Sequence, residues 1–147
     1  MNLSDEFIVD APADKVWTFF TDPHRIAAAL PGARITEQLD DTTFQGNMAV
    51  HGGSFSANYE GTFTFDAYEE SRQSVVQASG DGGMGSADVR ITSQVTEVSE
   101  GTTRVYVDAD IGISGVIAQV AGGIIEQASK KMFKEFGAAV KRALETG

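Results

Sequence analysis

Asp108 and Asp110 stand two residues apart in a segment that alternates like a strand, so both carboxylates project from one face. Paired carboxylates suit a divalent cation or general acid–base work. Their companions on that face are Arg104 and Tyr106, with no histidine beside them. A solvated polar face is therefore expected there, and a metal site is not. His24 and His51 are isolated, one opening a short helical stretch and one in the glycine turn His51-Gly52-Gly53. Neither has a nucleophile or an orienting partner at a readable spacing, so no catalytic residue is assigned. The run Gly80-Asp81-Gly82-Gly83-Met84-Gly85 has the glycine density of a phosphate loop. It lacks the following Lys-Ser/Thr and leads into a strand rather than a helix, so no helix N-terminus awaits an anion. It reads as a turn Gly80–Gly83 in a flexible hairpin. The chain has no Cys, which removes disulfides, thiolate nucleophiles and Cys-ligated zinc or iron–sulfur sites. No metal and no cofactor is expected.

What remains is apolar chemistry, which depends on how the elements meet. Asn2–Asp10 reads as a strand with Phe7 and Val9 on one face. A helix follows from Ala11-Pro12-Ala13-Asp14, offering Val16, Trp17, Phe19 and Phe20, and stops near Asp22-Pro23. A second short helix runs from His24 to Leu30 and ends at Pro31-Gly32. Six strands then alternate: 33–39, 43–50, 54–66, 73–79, 84–98 and 103–113. Phe44, Gly46, Met48 and Val50 share a face, as do Phe55, Ala57, Tyr59, Gly61, Phe63 and Phe65, and Val105, Val107, Ala109, Ile111 and Ile113.

From about Ser114 to Glu145 the period changes to that of a helix, with a stripe Ile117, Ala121, Ile124, Ala128, Met132, Phe136, Ala139, Ala143. One-sided strands leave one wet sheet face, and only this helix is long enough to cover the other. The expectation is one α+β domain over residues 1–147: a curved antiparallel seven-stranded sheet wrapped around a long C-terminal helix, with two short helices after the first strand. A helix rarely fills the concavity of a curved sheet everywhere. The cavity expected there is lined by Leu30, Met48, Phe55, Tyr59, Phe63, Met84, Val89, Ile111, Ile117, Ala121, Ile124 and Ala128. Large aromatics and flexible Met suit an adaptable pocket, with Tyr59 as its polar handle.

The C-terminal helix has a second, outward face. Lys130, Lys134 and Lys141 share it, with Lys131 and Arg142 beside them, and Glu126 lies four residues before Lys130. Ordinary helix electrostatics account for these charges more readily than a membrane or partner patch, which is the alternative. Gly122-Gly123 interrupts the helix, with Gly123 on the outer face; a kink, a close approach of another loop, or a hinge would each explain the pair.

The net charge of −10 is uneven: residues 116–147 carry five basic and three acidic side chains, leaving the rest strongly acidic. So acidic a body is a poor partner for nucleic acid. No basic-then-apolar leader and no apolar run of spanning length is read, and a cytoplasmic setting is expected.

With these residues in view, the chain resembles the START/Bet v 1-like (SRPBCC) helix-grip superfamily, and within it the CoxG family of carbon-monoxide dehydrogenase accessory proteins. The matching stretches are FIVDAPADKVW at Phe7–Trp17, Asp22-Pro23, LPGA at Leu30–Ala33, GDGGMGSADV at Gly80–Val89, and SGVIAQVAGGIIEQASKKMFKEF at Ser114–Phe136. The resemblance implies a non-catalytic accessory protein that binds an apolar molecule, quinone-like or lipid. It implies service to a molybdenum hydroxylase such as carbon-monoxide dehydrogenase, in maturation or in membrane and electron coupling at the inner face of the membrane. Two other readings stay open: a polyketide cyclase or aromatase-like enzyme, which shares the superfamily, and a purely protein-binding assembly factor.

Overall fold

The computed structural model describes residues 1–52 and 55–145, with the side chain of Phe55 outside that description. The element order is β1 (Asn2–Val9), α1 (Ala13–Phe20), α2 (Pro23–Ala29), β2 (Ala33–Gln38), β3 (Thr43–Gly52), β4 (Phe55–Tyr68), β5 (Gln73–Gly82), β6 (Gly85–Ser99), β7 (Thr102–Ser114) and α3 (Val116–Glu145). The strands form one antiparallel seven-stranded sheet in the order β1-β7-β6-β5-β4-β3-β2, so the first two strands of the chain are its edges. The sheet curves around α3, the helix-grip arrangement expected from the alternation.

Local chemistry explains the boundaries. Pro12 precedes α1 and its carbonyl accepts from the N–H groups of Lys15 and Val16. Asp22 caps α2, its carboxylate accepting from His24 N–H at 2.9 Å and Arg25 N–H at 3.3 Å, with Pro23 in the first turn. The glycine-rich hairpin differs from its expected form. β5 stays in register through Gly82, which pairs with Gly85, so the turn is Gly83-Met84 rather than Gly80–Gly83. Glycine tolerates extended backbone as well as turn backbone, and here the ladder claims Gly80 and Gly82.

The main core gathers where α1 and the C-terminal half of α3 meet the sheet. Val9, Val16, Trp17, Phe20, Val105, Phe136, Val140 and Leu144 form it. Phe136 packs edge-on against Phe7 and Phe20, with ring centroids 6.5 and 6.1 Å away. Burying such a side chain contributes about 1.5–3 kcal/mol. A second cluster joins Tyr59 of β4 to Ile117, Ala121 and Ile125 of α3.

The buried stripe of α3 is Ile117, Ala121, Ile125, Ala128, Ser129, Phe136, Gly137, Val140 and Leu144. It departs from the expected stripe at Ile124, which is 43% exposed, and at Ala139 and Ala143, whose places are taken by Val140 and Leu144. Steps of four from Ile117 put Ile125 inward instead of its neighbour. The start of α3 is pinned by the β5–β6 hairpin: Ile117 N–H donates to the Met84 carbonyl at 3.1 Å. Gly115 (φ +94°) makes that contact feasible, since a Cβ there would stand 2.7 Å from Gly85 Cα.

Candidate functional site: an apolar cavity between sheet and helix

A cavity of about 250 Å³ lies between the two apolar clusters. Its roof is α2, with Ile26, Ala27 and Leu30, and the C-terminal half of α3, with Ser129, Met132, Phe133 and Phe136. Its floor is the inner face of the sheet, and strand register explains why there is space. Gly46, Gly61, Gly80 and Ala87 pair successively across β3, β4, β5 and β6. All four line the cavity, so this row carries no side chain larger than a methyl group. The flanking row, Phe63, Ala78, Val89 and Ile111, supplies apolar walls. A cavity of about 150 Å³ accommodates benzene; the larger volume here has room for a bicyclic ring or a folded chain segment.

Of the twelve residues expected to form the cavity, the structure brings together Leu30, Met48, Tyr59, Phe63, Val89 and Ile111. Ile117, Ala121 and Ala128 are buried, but they seat α3 on the sheet and do not line the space. Two expectations are corrected outright. Met84 sits at the hairpin tip, 47% exposed, and Ile124 turns outward on α3. Phe55 lies outside the described side chains. Sequence reading misses α2's Ile26 and Ala27, and Met132 and Phe133 of α3. The four-residue spacing of Ile26 and Leu30 is the available signal for the first of these.

Polar groups on the lining are few. Ser74 and Ser93 face each other across β5 and β6, and Ser129 projects from α3; all three residues are buried. Tyr59 is buried as well, and burial pushes its phenol pKa up, favouring the protonated donor form. Arg34 and Asn47 pair on the edge strands β2 and β3. No carboxylate or imidazole belongs to the described lining.

The other candidates settle into structural roles. Asn2 Nδ2 donates to Asp110 at 3.0 Å and Asp108 at 3.4 Å, tying β1 to β7. Among the described residues no three His, Asp or Glu side chains come together to hold a metal. His24 stacks edge-on against Phe44 at 5.8 Å. Lys130 pairs with Glu126 at 3.8 Å and Lys131 with Glu135 at 4.0 Å along α3. Such exposed pairs contribute a few tenths of a kcal/mol. Lys134 is exposed and Lys141 half-buried, so the expected patch is not a uniform outer face. A Cβ at Gly122 or Gly123 would meet nothing within 4 Å, which removes close approach as their explanation. Among the described residues no helix is long and apolar enough to cross a membrane.

The fold is shared with solved structures of low sequence identity. A conserved protein from Geobacillus kaustophilus superposes with a TM-score of 0.85 at 13% identity, covering 99% of this chain and 96% of that one. The Zhui aromatase/cyclase from a Streptomyces species gives 0.73 at 16% identity, covering 99% and 93%. A START superfamily protein from Mycobacterium smegmatis gives 0.69 at 13%, covering 99% and 97%. At these identities the likeness speaks for the fold alone. No protein of curated function matches the sequence. The sequence profile of one family does match, over residues 6–145, and by that match the chain belongs to the CoxG family, the G-type subunits of carbon monoxide dehydrogenase.

Proposed function

We propose that this protein is a non-catalytic accessory module that holds an apolar molecule, quinone-like or lipid, between its sheet and α3. The observation that carries the reading is the 250 Å³ cavity, walled by Leu30, Met48, Phe63, Val89, Ile111 and Phe133. Catalysis of the cyclase type needs groups that move protons inside the cavity. The described lining offers hydroxyls, one amide and one guanidinium, and this favours binding over chemistry. The family's description supports the partner: a molybdenum hydroxylase such as carbon monoxide dehydrogenase, served from the cytoplasm in maturation or in membrane and electron coupling.

Native mass spectrometry of freshly purified protein, followed by organic extraction, tests the reading. A co-purifying apolar molecule of one mass, or a rise in melting temperature with added quinone, is the expected result. Clean protein that is indifferent to quinones and lipids in thermal shift would instead favour an assembly factor that works through its surface.

A further inference from the structure

We infer that the ligand carries a hydrogen-bond acceptor at one end, a carbonyl or ether oxygen on an otherwise apolar body, and that Tyr59 is the donor that holds it. The inference rests on the apolar-ligand reading and adds the chemical class and the direction of binding.

Tyr59 is only 8% exposed, and its hydroxyl is the buried side-chain oxygen that has no hydrogen-bond partner among the described residues. Elsewhere in the core such groups are satisfied: the fully buried Thr103 hydroxyl donates to the Ala11 carbonyl at 2.8 Å. An unpaired buried hydroxyl is destabilising, whereas phenylalanine would fill the same space without that cost. The hydroxyl therefore answers a need that the protein's own groups do not meet.

Its placement indicates what that need is. Tyr59 lies on β4 one inward position from Gly61, so it borders the side-chain-free row across the sheet. On the sheet side its ring lies over Gly82, where a Cβ would stand 3.3 Å from Cδ1 and Cε1. On the other side it packs with Ile117 and Ala121. The phenol is kept protonated by its burial, so it presents a donor.

At the opposite end of the floor stand Ser74 and Ser93, separated from Tyr59 by the rows that contain Gly61, Phe63 and Phe65. The cavity thus has a single phenol at one end and hydroxyls at the other, with apolar walls between. An acceptor reaches the Tyr59 hydroxyl when the ring parts from Ile117 and Ala121, beneath the stretch of α3 that contains Gly122 and Gly123.

The test uses the full chain and two matched probes: an aminonaphthyl ethyl ketone, whose emission shifts to the red when its carbonyl accepts a hydrogen bond, and the alkylnaphthalene of the same shape without oxygen. Wild type is expected to bind both and to shift the ketone's emission. Tyr59→Phe, which keeps the ring and its packing, is expected to weaken the ketone about five- to tenfold, the worth of one hydrogen bond. Its ketone emission should move to the blue, with the alkylnaphthalene bound as in wild type. The inference is overturned if Tyr59→Phe leaves ketone affinity and emission unchanged. It is also overturned if both probes weaken equally, or if Ser74→Ala and Ser93→Ala move the emission instead. Binding of neither probe by wild type would overturn the apolar-ligand reading itself, a separate result.

Discussion

Trp17 donates its indole N–H to Glu69 at 2.6 Å, fastening α1 to the turn between β4 and β5. The same turn holds α1 a second time through the ion pair of Arg72 with Asp14. It is itself tied to β6 by Gln94, which donates to the Ser71 carbonyl at 2.6 Å. A hydrogen bond to a charged acceptor at a partly buried site contributes about 1–2 kcal/mol. Glu69→Ala should lower stability to denaturant by about that amount. Trp17 is the only tryptophan, so a change in native emission would report the lost partner directly. An unaltered denaturation midpoint would show that the bond contributes nothing.

Ala78 sits between Phe63 and Val89 on the cavity floor. Ala78→Leu places three more carbons in the empty space rather than in packed core, so the usual overpacking cost of about 1–3 kcal/mol should be absent. Apolar probe affinity is expected to fall about tenfold or more while the melting temperature holds or rises, as in other cavity-filling changes. Probe binding equal to wild type in Ala78→Leu would place the ligand elsewhere.

Gly122 and Gly123 face open space, so alanine fits at both. Each Gly→Ala change in a helix stabilises by roughly 0.5–1 kcal/mol. If the glycines serve as a hinge that lets α3 lift from Tyr59, the double variant should be more stable yet bind apolar probes more slowly in stopped flow. In wild type, amides of residues 116–123 should then exchange faster than those of residues 128–136. Equal protection of the two halves, with unchanged binding rates, would remove the hinge.

Asp40 accepts from the backbone N–H of Thr42 at 2.9 Å and of Thr43 at 2.8 Å in the β2–β3 turn. The Thr42 bond leads in holding its carboxyl below the usual 3.8. A carboxylate with a depressed folded-state pKa contributes stability above the unfolded value and loses it as the pH falls through the folded one. The stability difference between wild type and Asp40→Ala should thus be constant near neutrality and shrink below about pH 4. An NMR titration midpoint for Asp40 at or above 3.8 would contradict the assignment.

The strand faces are legible in the sequence because alternation is local: Phe44, Met48, Tyr59, Val107 and Ile111 all point as their spacing dictates. The helix stripe is less so, since the adjacent Ile124 and Ile125 are identical in type and only the anchoring of Ile117 by the hairpin decides between them. Sequence pattern puts the cavity under the wrong half of α3 for an instructive reason. Alanines at 121 and 128 suggest space, but small residues on a helix let it approach the sheet, and Tyr59 closes the remaining room. The space lies where Gly46, Gly61 and Gly80 align, and that alignment depends on the register of three strands, which no single segment encodes.

The edge position of β1 has a consequence for how the chain is made. β1 pairs only with β7, and the bond from Asn2 to Asp110 spans 108 residues. During synthesis β1 therefore waits, unpaired, until nearly the whole sheet has emerged. The large side chains that follow it, Trp17, Phe19 and Phe20, wait longer still for Phe136, Val140 and Leu144 of the last helix. Contacts so distant in sequence form slowly. A nascent chain halted before α3 exposes an apolar surface and an open strand edge, the features by which chaperones and proteases recognise unfinished proteins.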